Sequence, residues 1–307
     1  MMLSRTADHL YWMSRYLERA ENLARLLDVS FSLSLLPRSK GARAEMQAPL
    51  VITETLDAYN ARYQELTADR LLHFMALDRG NPASIVACLR RARENAHAVR
   101  GKITGELWEH INATWLEAKD FESQGIANAG EFFDWVKQRS HLFRGVAYGT
   151  VLRGDAYSFI RLGTFIERAD NTARLLDVKA SLMEHEDGGE DDYAWNALLR
   201  ALSAYEAYLE LYREGRAMRE VVELTVLSPR LPRSLRACME AICKILTQIE
   251  GDHSRVAQRQ ANALLNLLKF ATVDEILGDG LHDYLGMRLI EINALGDAIY
   301  RAYLKAA

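Results

Sequence analysis

The 307-residue sequence has few of the residues that interrupt helices or build disulfide frameworks, with five prolines, 18 glycines and three cysteines. The scarcity of proline and of long β-branched runs favours helices throughout the chain. Cys88, Cys238 and Cys243 form no CxxC pair and match no zinc-site spacing. Each is therefore expected to be a buried, reduced thiol.

Long apolar runs and blocks of positive charge are also absent. No run of 18 apolar residues occurs, and charges recur every few residues near the N-terminus, which predicts a cytoplasmic protein without a membrane span or signal peptide. The net charge is −4 and the basic residues are interspersed with acidic ones, so no nucleic-acid partner is expected. Walker, GxGxxG, HExxH and GxSxG motifs do not occur, which excludes those nucleotide, zinc-protease and hydrolase signatures.

An internal repeat is the main feature that the sequence does contain. Residues 17–29, LERAENLARLLDV, return as residues 166–178, IERADNTARLLDV, at a displacement of 149 residues. Other pairs that match at a displacement of 149 or 150 residues are Tyr59 with Tyr208, Tyr63 with Tyr212, Ser84 with Ser234, and Arg139 with Arg288. Two copies are typical of a duplicated bundle, whereas a solenoid needs three or more. We predict an all-α helical bundle of two tandem, diverged copies of a roughly five-helix unit, residues 1–152 and 153–307, packed as one compact unit.

Apolar periodicity and terminal signals give the expected helix bounds. The predicted helices cover residues 6–36, 52–66, 68–77, 82–116, 131–152, 155–184, 193–213, 216–227, 232–270 and 281–304. Thr67 is expected to cap the third helix, and Asn81, followed by Pro82, is expected to cap the fourth.

The repeated motif arranges its polar residues along one side of a helix. Glu18, Glu21, Asn22, Arg25 and Asp28 fall in a stripe about 120° wide, opposite a mainly apolar side, so the motif predicts an amphipathic helix. The matching residues of the second copy are Glu167, Asp170, Asn171, Arg174 and Asp177. A solvated face exchanges charged residues at little cost, because exposed ion pairs contribute about 0–1 kcal/mol. The agreement of the two copies therefore indicates a constraint on these side chains.

Arg19 and its counterpart Arg168 lie on the apolar side of the motif helix. A guanidinium in that position needs a carboxylate or carbonyl partner unless it reaches the surface.

Two interpretations of the motif are open at this point. In the first, Glu18 with Arg25 and Glu167 with Arg174 belong to an ion network that holds the helices of the two copies together. In the second, the motif lines a polar cavity for an anionic or peptide-like ligand. The ligand-binding residues would then be Arg19, Asn22, Arg25, Asp28, Arg168, Asp170, Asn171, Arg174 and Asp177, with Glu18 and Glu167 as candidate general acids or bases.

Two Glu-x-x-His pairs, Glu94 with His97 and Glu250 with His253, carry the ligand types of a di-iron bundle. Their displacement of 156 residues exceeds that of the repeat by six. Six residues turn a helix by about 240°, so the two pairs should face different directions. We therefore predict no metal site.

The segments MLSRTADHLYWMSRYLERAENLARLLDV and YSFIRLGTFIERADNTARLLDVK, in this order and at this separation, resemble the bacterial alpha-E domain family. The Asn-Pro-x-Ser segment at Asn81, the ARENA segment at Ala92 and the GLH segment at Gly280 resemble later blocks of the family, so the resemblance covers nearly the whole chain. The second copy departs from this pattern, since LSPRLPRS stands where Asn-Pro is more usual.

This resemblance implies an all-helical protein encoded beside, or fused to, a circularly permuted ATP-grasp ligase and a transglutaminase-like cysteine peptidase. ATP and Mg²⁺ would belong to the ligase, and this chain would hold no cofactor. The leading hypothesis is a helical component of an ATP-grasp peptide-ligase system that binds the ligase and its amino-acid or peptide substrate. The alternatives are a stand-alone enzyme of amide chemistry, with Glu18 or Glu167 as general acid or base, and a structural scaffold with a core ion network.

Overall fold

The computed structural model describes residues 2–34, 42–184, 192–212, 218–249 and 254–305, and within these ranges it contains helices and no strands. The α-helices are α1 (Ser4–Ser34), α2 (Ala42–Ile52), α3 (Leu56–Asn60), α4 (Ala68–Leu72), α5 (Ile85–Ala98), α6 (Gly105–Gln124), α7 (Ala129–Thr150), α8 (Asp155–Glu184), α9 (Asp192–Ala201), α10 (Tyr205–Leu211), α11 (Met218–Val222), α12 (Leu235–Leu246), α13 (Ser254–Phe270), α14 (Val273–Gly278) and α15 (Leu281–Ile299). Three π-helical segments, His73–Leu77, Glu223–Leu227 and Tyr300–Leu304, extend α4, α11 and α15. None of the described helices has the length and apolar character needed to cross a bilayer.

The helices form two compact units. One is His9–Gly163, and the other combines Met1–Asp8 with Thr164–Ala307. In the first unit α6 packs against both α5 and α7, and in the second α13 packs against both α12 and α15. Aromatic side chains contribute to both interiors, since Phe74 and Phe133 are buried in the first unit and Trp195 and Tyr208 in the second.

The predicted helix over residues 82–116 is wrong, because two helices occupy this stretch. α5 ends at Ala98, and the Thr104 hydroxyl caps α6 by accepting a hydrogen bond from the Leu107 amide at 3.3 Å. The predicted helix over residues 232–270 is divided in the same way into α12 and α13. Within residues 52–66, the helical part is the end of α2 at Ile52 and α3.

Asn81 is not the cap of the helix that follows it. Ser84 caps α5 by accepting from the Ala87 amide at 3.2 Å, and its hydroxyl donates to the Asp78 carbonyl at 2.7 Å. The buried Asn81 carboxamide instead donates to the Phe74 carbonyl at 3.0 Å and accepts from the Ala83 amide at 3.0 Å. The polar side chain therefore holds the turn together, and the helix starts three residues beyond the predicted point. The Thr67 cap on α4 is confirmed.

The loop between α2 and α3 has the same geometry as the loop between α9 and α10. Glu54 and Ser203 both have a positive φ, 56° and 52°, and they stand 149 residues apart. The Thr55 amide donates to the Leu50 carbonyl at 2.8 Å, and the Ala204 amide donates to the Leu199 carbonyl at 2.7 Å. Residues of these two loop regions can therefore be compared position by position.

α1 and the start of α8 cross closely within the unit His9–Gly163. Ser14 is fully buried, and its hydroxyl donates to the Tyr11 carbonyl at 2.9 Å. Gly163 faces this turn so closely that a Cβ there would overlap the Ser14 hydroxyl and the Tyr11 carbonyl oxygen. Only glycine allows the two helices to approach to this distance.

Stability is expected to fall as the pH drops below 6.5 because of His110. Burial lowers the pKa of its imidazole from the ordinary value of 6.5, although its Nε2 donates to the Arg139 carbonyl at 2.8 Å. Below pH 6.5, His110 therefore binds a proton more readily in the unfolded chain than in the folded chain. The free energy of unfolding decreases as the pH falls through this range. Melting temperatures between pH 7.5 and pH 5.5 should fall less steeply for His110→Gln than for the unmodified protein. The exposed His97→Gln is the control, and equal slopes for all three proteins would contradict this assignment.

Candidate functional site

Neither of the two helices that carry the repeated motif has an exposed residue along its central part. No residue of α1 from Thr6 to Phe31 is exposed, and no residue of α8 from Asp155 to Ser181 is exposed. The polar stripe is therefore not a solvated face, which agrees with the constraint that the repetition of the motif indicates. Glu18, Glu21 and Asn22 of the polar stripe are buried, and a buried charged group is stable only with partners.

Arg144 of α7 binds the two buried carboxylates of the α1 motif. Its Nη1 lies 3.0 Å from Glu18 Oε2, forms a short hydrogen bond with Glu21 and lies 3.0 Å from the Ser140 hydroxyl. Glu18 is 2 % exposed and Glu21 is completely buried. One guanidinium thus neutralises charge on both carboxylates and ties α1 to α7.

Arg25 and His141 complete this group. Arg25 Nε donates to Glu21 Oε1 at 2.9 Å, and Arg25 Nη2 lies 3.0 Å from His141 Nε2. His141 Nε2 also lies 3.5 Å from Glu21 Oε1, so this nitrogen can accept from Arg25 when neutral or donate to Glu21 when protonated. The side chain of His141 is 54 % exposed, whereas that of Glu21 is 0 % exposed. We call Glu18, Glu21, Arg25, Ser140, His141 and Arg144 the Arg144 cluster; it leads from the interior to the surface at His141.

Asp28, at the end of the motif, binds another cation of α7. Lys137 Nζ lies 2.8 Å from Asp28 and 2.7 Å from Asp134. Burial lowers the pKa of Lys137, but hydrogen bonds to the two aspartates outweigh burial and raise the pKa above its ordinary value. Lys137 is therefore charged and forms a second link between α1 and α7.

Sequence reasoning missed Lys137, Ser140, His141 and Arg144. These residues follow the spacing i, i+3, i+4 and i+7, which places them on one face of α7. That spacing could have indicated a polar face of α7. Comparison of the two copies did not reveal it, because the residue that matches Arg144 in the second copy is Asn293.

The second copy repeats part of this arrangement within its own unit. Asp170 accepts from Arg174 Nε at 2.9 Å, the same separation as between Glu21 and Arg25. Asp177 binds His282 Nδ1 of α15 at 2.7 Å, so His282 has the role that Lys137 has for Asp28. Glu167 is buried at 3 % exposure, and Asn171 is half-buried. Each polar residue of the second motif is thus buried or half-buried in its own unit.

The two motif arginines of the apolar side stack on aromatic rings. The Arg19 guanidinium lies 5.9 Å from the centre of the Tyr16 ring, and that of Arg168 lies 5.5 Å from the centre of the Phe165 ring. In both copies the ring precedes the arginine by three residues, one turn of helix. Arg168 Nη1 also lies 3.5 Å from the Pro232 carbonyl oxygen, which fits the expectation of a carbonyl partner.

The ligand types of a metal site do not come together in the described part of the chain, where no group of three His, Cys, Asp or Glu side chains could hold an ion. Glu94 is an exposed partner of Arg90, and His97 packs beside Trp108 with ring centres 5.6 Å apart. Glu250 and His253 lie outside the described residues.

A groove of about 900 Å³ lies on the surface of the second unit, along α13, α14 and α15. Its apolar lining includes Phe270, which is 81 % exposed, Met287, which is 52 % exposed, and Leu267, which is 45 % exposed. The exposed carboxylates of its rim belong to Glu275, Asp279 and Asp283. We call this surface the acidic groove. Exposed apolar patches with a polar rim are typical of sites where proteins bind one another.

Comparison with known proteins assigns the family. A model of the Alpha-E family, described as a predicted alpha-helical domain with a conserved ER motif, matches residues 2–304. The Glu-Arg dipeptide occurs twice in the chain, as Glu18-Arg19 and Glu167-Arg168. Uncharacterized proteins of Mycobacterium tuberculosis and Mycobacterium bovis are 25 % identical over 318 aligned residues, which cover 94 % of this chain and 35 % of each relative. The chain thus spans about a third of the length of these curated relatives, and no solved structure matches it. Since the family model covers nearly all of the sequence, the chain belongs to the Alpha-E family.

Proposed function

We propose that this chain is the helical, accessory component of a cytoplasmic ATP-grasp peptide-ligase system. Its role is to bind the ligase and to present an amino-acid or peptide substrate, while ATP and Mg²⁺ belong to the ligase. A transglutaminase-like peptidase is the second partner in this proposal. Membership of the Alpha-E family supports the proposal, because the genomic setting implied by the family resemblance supplies both partners.

The acidic groove is the observation that carries the proposal. Three large apolar side chains, Leu267, Phe270 and Met287, remain 45–81 % exposed beside one another in the groove. Leaving them in water costs about 25 cal/mol for each Å² of apolar surface that a partner could cover. The acidic rim selects a partner segment with basic residues, since complementary charge steers association. Arg288 adds little positive charge, because its Nε lies 2.7 Å from Glu291.

Phe270→Ala should weaken binding to the ligase at least tenfold, and Met287→Ala should have the same effect. Both side chains are at least half exposed, so the folded protein should keep its melting temperature. The measurement is co-purification with the ATP-grasp protein encoded beside this chain, followed by titration of the purified pair by calorimetry. Tyr148→Ala is the control, because Tyr148 is a 68 % exposed aromatic residue of the other unit.

The charge of the rim provides an independent arm of this test. Asp279→Lys with Asp283→Lys should reduce the association rate and its dependence on salt. ATP hydrolysis by the ligase on mixed amino acids should be stimulated by the unmodified chain and not by these variants. Absence of any association between the two purified proteins would overturn the proposal.

A structural role for the motif is the second candidate, and the Arg144 cluster favours it. Glu18 and Glu21 are buried and held by arginines, which is the arrangement of an ion network that fixes helix positions. We also propose that the two motif helices arose by duplication of a five-helix unit. The matched loops at Glu54 and Ser203 and the serine caps at Ser84 and Ser234 support this proposal.

A further inference from the structure

A pocket of about 510 Å³ lies in the unit His9–Gly163, at α2, α3 and the segment that leads to α4. Its apolar lining is formed by Met46, Leu50, Leu56 and Tyr59. The Tyr59 ring is buried, and its hydroxyl donates to the Glu65 carbonyl at 3.1 Å, which holds the loop against the floor of the pocket. Pockets of a few hundred Å³ with an apolar floor are typical small-ligand sites.

Besides the Thr67 hydroxyl, the polar side chains that line this pocket are three carboxamides, one cation and one anion. The carboxamides are Gln47, Asn60 and Gln64, the cation is Arg43 and the anion is Glu65. Each carboxamide both donates and accepts hydrogen bonds, as a peptide group does, and a guanidinium binds a carboxylate through paired hydrogen bonds. Glu65 is 76 % exposed and lies 3.5 Å from Arg70, which is a long contact, so its carboxylate can also bind an ammonium group.

The matched position in the other unit carries a much larger side chain. Met46 corresponds to Trp195 at the displacement of 149 that relates the two loops. Trp195 is completely buried, whereas Met46 is half-buried beside the pocket. The rim differs as well, because Leu209 stands at the position of Asn60. At this position one unit therefore buries an indole ring, and the other has a half-buried methionine at the edge of a pocket.

We infer that this pocket binds a short peptide, with the peptide groups at the carboxamides, the C-terminal carboxylate at Arg43 and the amino group at Glu65. The inference names a substrate site within the proposed function, and it can be tested without the ligase. A free peptide is zwitterionic and rich in amide groups, so it matches both the charges and the hydrogen-bonding groups of the rim.

The probes are triglycine, trialanine and a panel of mixed tripeptides, measured against the full chain by saturation-transfer NMR and then by calorimetry. At least one tripeptide should bind, and its C-terminal amide should bind at least tenfold more weakly because Arg43 loses its charged partner. Arg43→Met should remove this difference between acid and amide. Gln138→Ala, an exposed carboxamide change on α7, is the control and should bind as the unmodified chain does.

Met46→Trp copies the side chain of the second unit and should raise the Kd at least tenfold. Circular dichroism and the melting temperature show whether this variant is folded, and Asn60→Leu, which also copies the second unit, repeats the test if it is not. Failure of every tripeptide to bind, or binding that Met46→Trp and Asn60→Leu leave unchanged, would overturn the inference. Peptide binding without ligase association would overturn the proposed function alone, and the reverse result would overturn the peptide site alone.

Discussion

Arg144→Met is expected to destabilise the folded chain by about 3 kcal/mol, because removing one partner from a buried ion pair leaves the other charge uncompensated. Glu21 is completely buried and loses its short hydrogen bond to Arg144, and Glu18 loses a 3.0 Å bond to the same guanidinium. In a chain of this size the melting temperature should fall by about 6 °C or more. Thermal melts and urea titration measure the effect.

A double-mutant cycle distinguishes this ion network from general damage to packing. Glu21→Gln combined with Arg144→Met removes both charges, so the double variant should lose about 1–3 kcal/mol less than the sum of the single losses. Arg79→Met is the matched control, since Arg79 is 54 % exposed in its ion pair with Glu122 and should change stability by less than about 1 kcal/mol. Unchanged melting of Arg144→Met, together with lost peptide or ligase binding, would instead make the Arg144 cluster a ligand site.

Gly163→Ala should be at least as harmful, with an expected loss of about 3 kcal/mol or more. The new Cβ would overlap the Tyr11 carbonyl oxygen, which belongs to the backbone of α1 and cannot rotate away. Overpacking at a helix crossing usually costs about 1–3 kcal/mol, and a clash with backbone lies at the upper end. Urea denaturation of the purified variant, or failure to obtain it in folded form, measures this effect.

Gly149→Ala, in the same unit, is expected to raise stability instead of lowering it. Gly149 lies in α7, is exposed, and would place its Cβ in open space. Replacing such a glycine in a helix should raise stability by about 0.5–1 kcal/mol, because alanine loses less backbone freedom on folding. Equal effects of the two substitutions would show that α1 and α8 do not approach closely at Gly163.

The sequence was sufficient for the helical class and for the location of the motif. The low proline content, the helical periodicity and the Thr67 cap act within single segments of the chain. A sequence therefore shows them without any knowledge of the tertiary structure. The family could also be recognised from short sequence motifs, because the two motif segments occur in the expected order and at the expected separation.

Local signals were insufficient where neighbouring helices decide the outcome. The break between α5 and α6 is a different case, because its local signals were present: Thr104 is a cap, and Gly101 and Gly105 beside it are poor helix formers. The prediction of one long helix gave too much weight to the apolar periodicity on either side of these residues. Asn81 has the side chain of a cap, yet the carbonyl of Phe74 attracts its carboxamide into the turn. Only the folded chain brings that carbonyl within reach.

The sequence by itself determined that Glu18, Glu21, Asn22 and Arg25 share one side of a helix, because that follows from 3.6 residues per turn. Only the tertiary structure decided that Glu18 and Glu21 are buried and that two further cations, Arg144 and Lys137, reach this side from α7, more than a hundred residues later. Helical periodicity fixes the direction of each side chain about its own axis. It carries no information on which other helix will pack there, and so the partner charges of Arg144 and Lys137 became visible only in the folded chain.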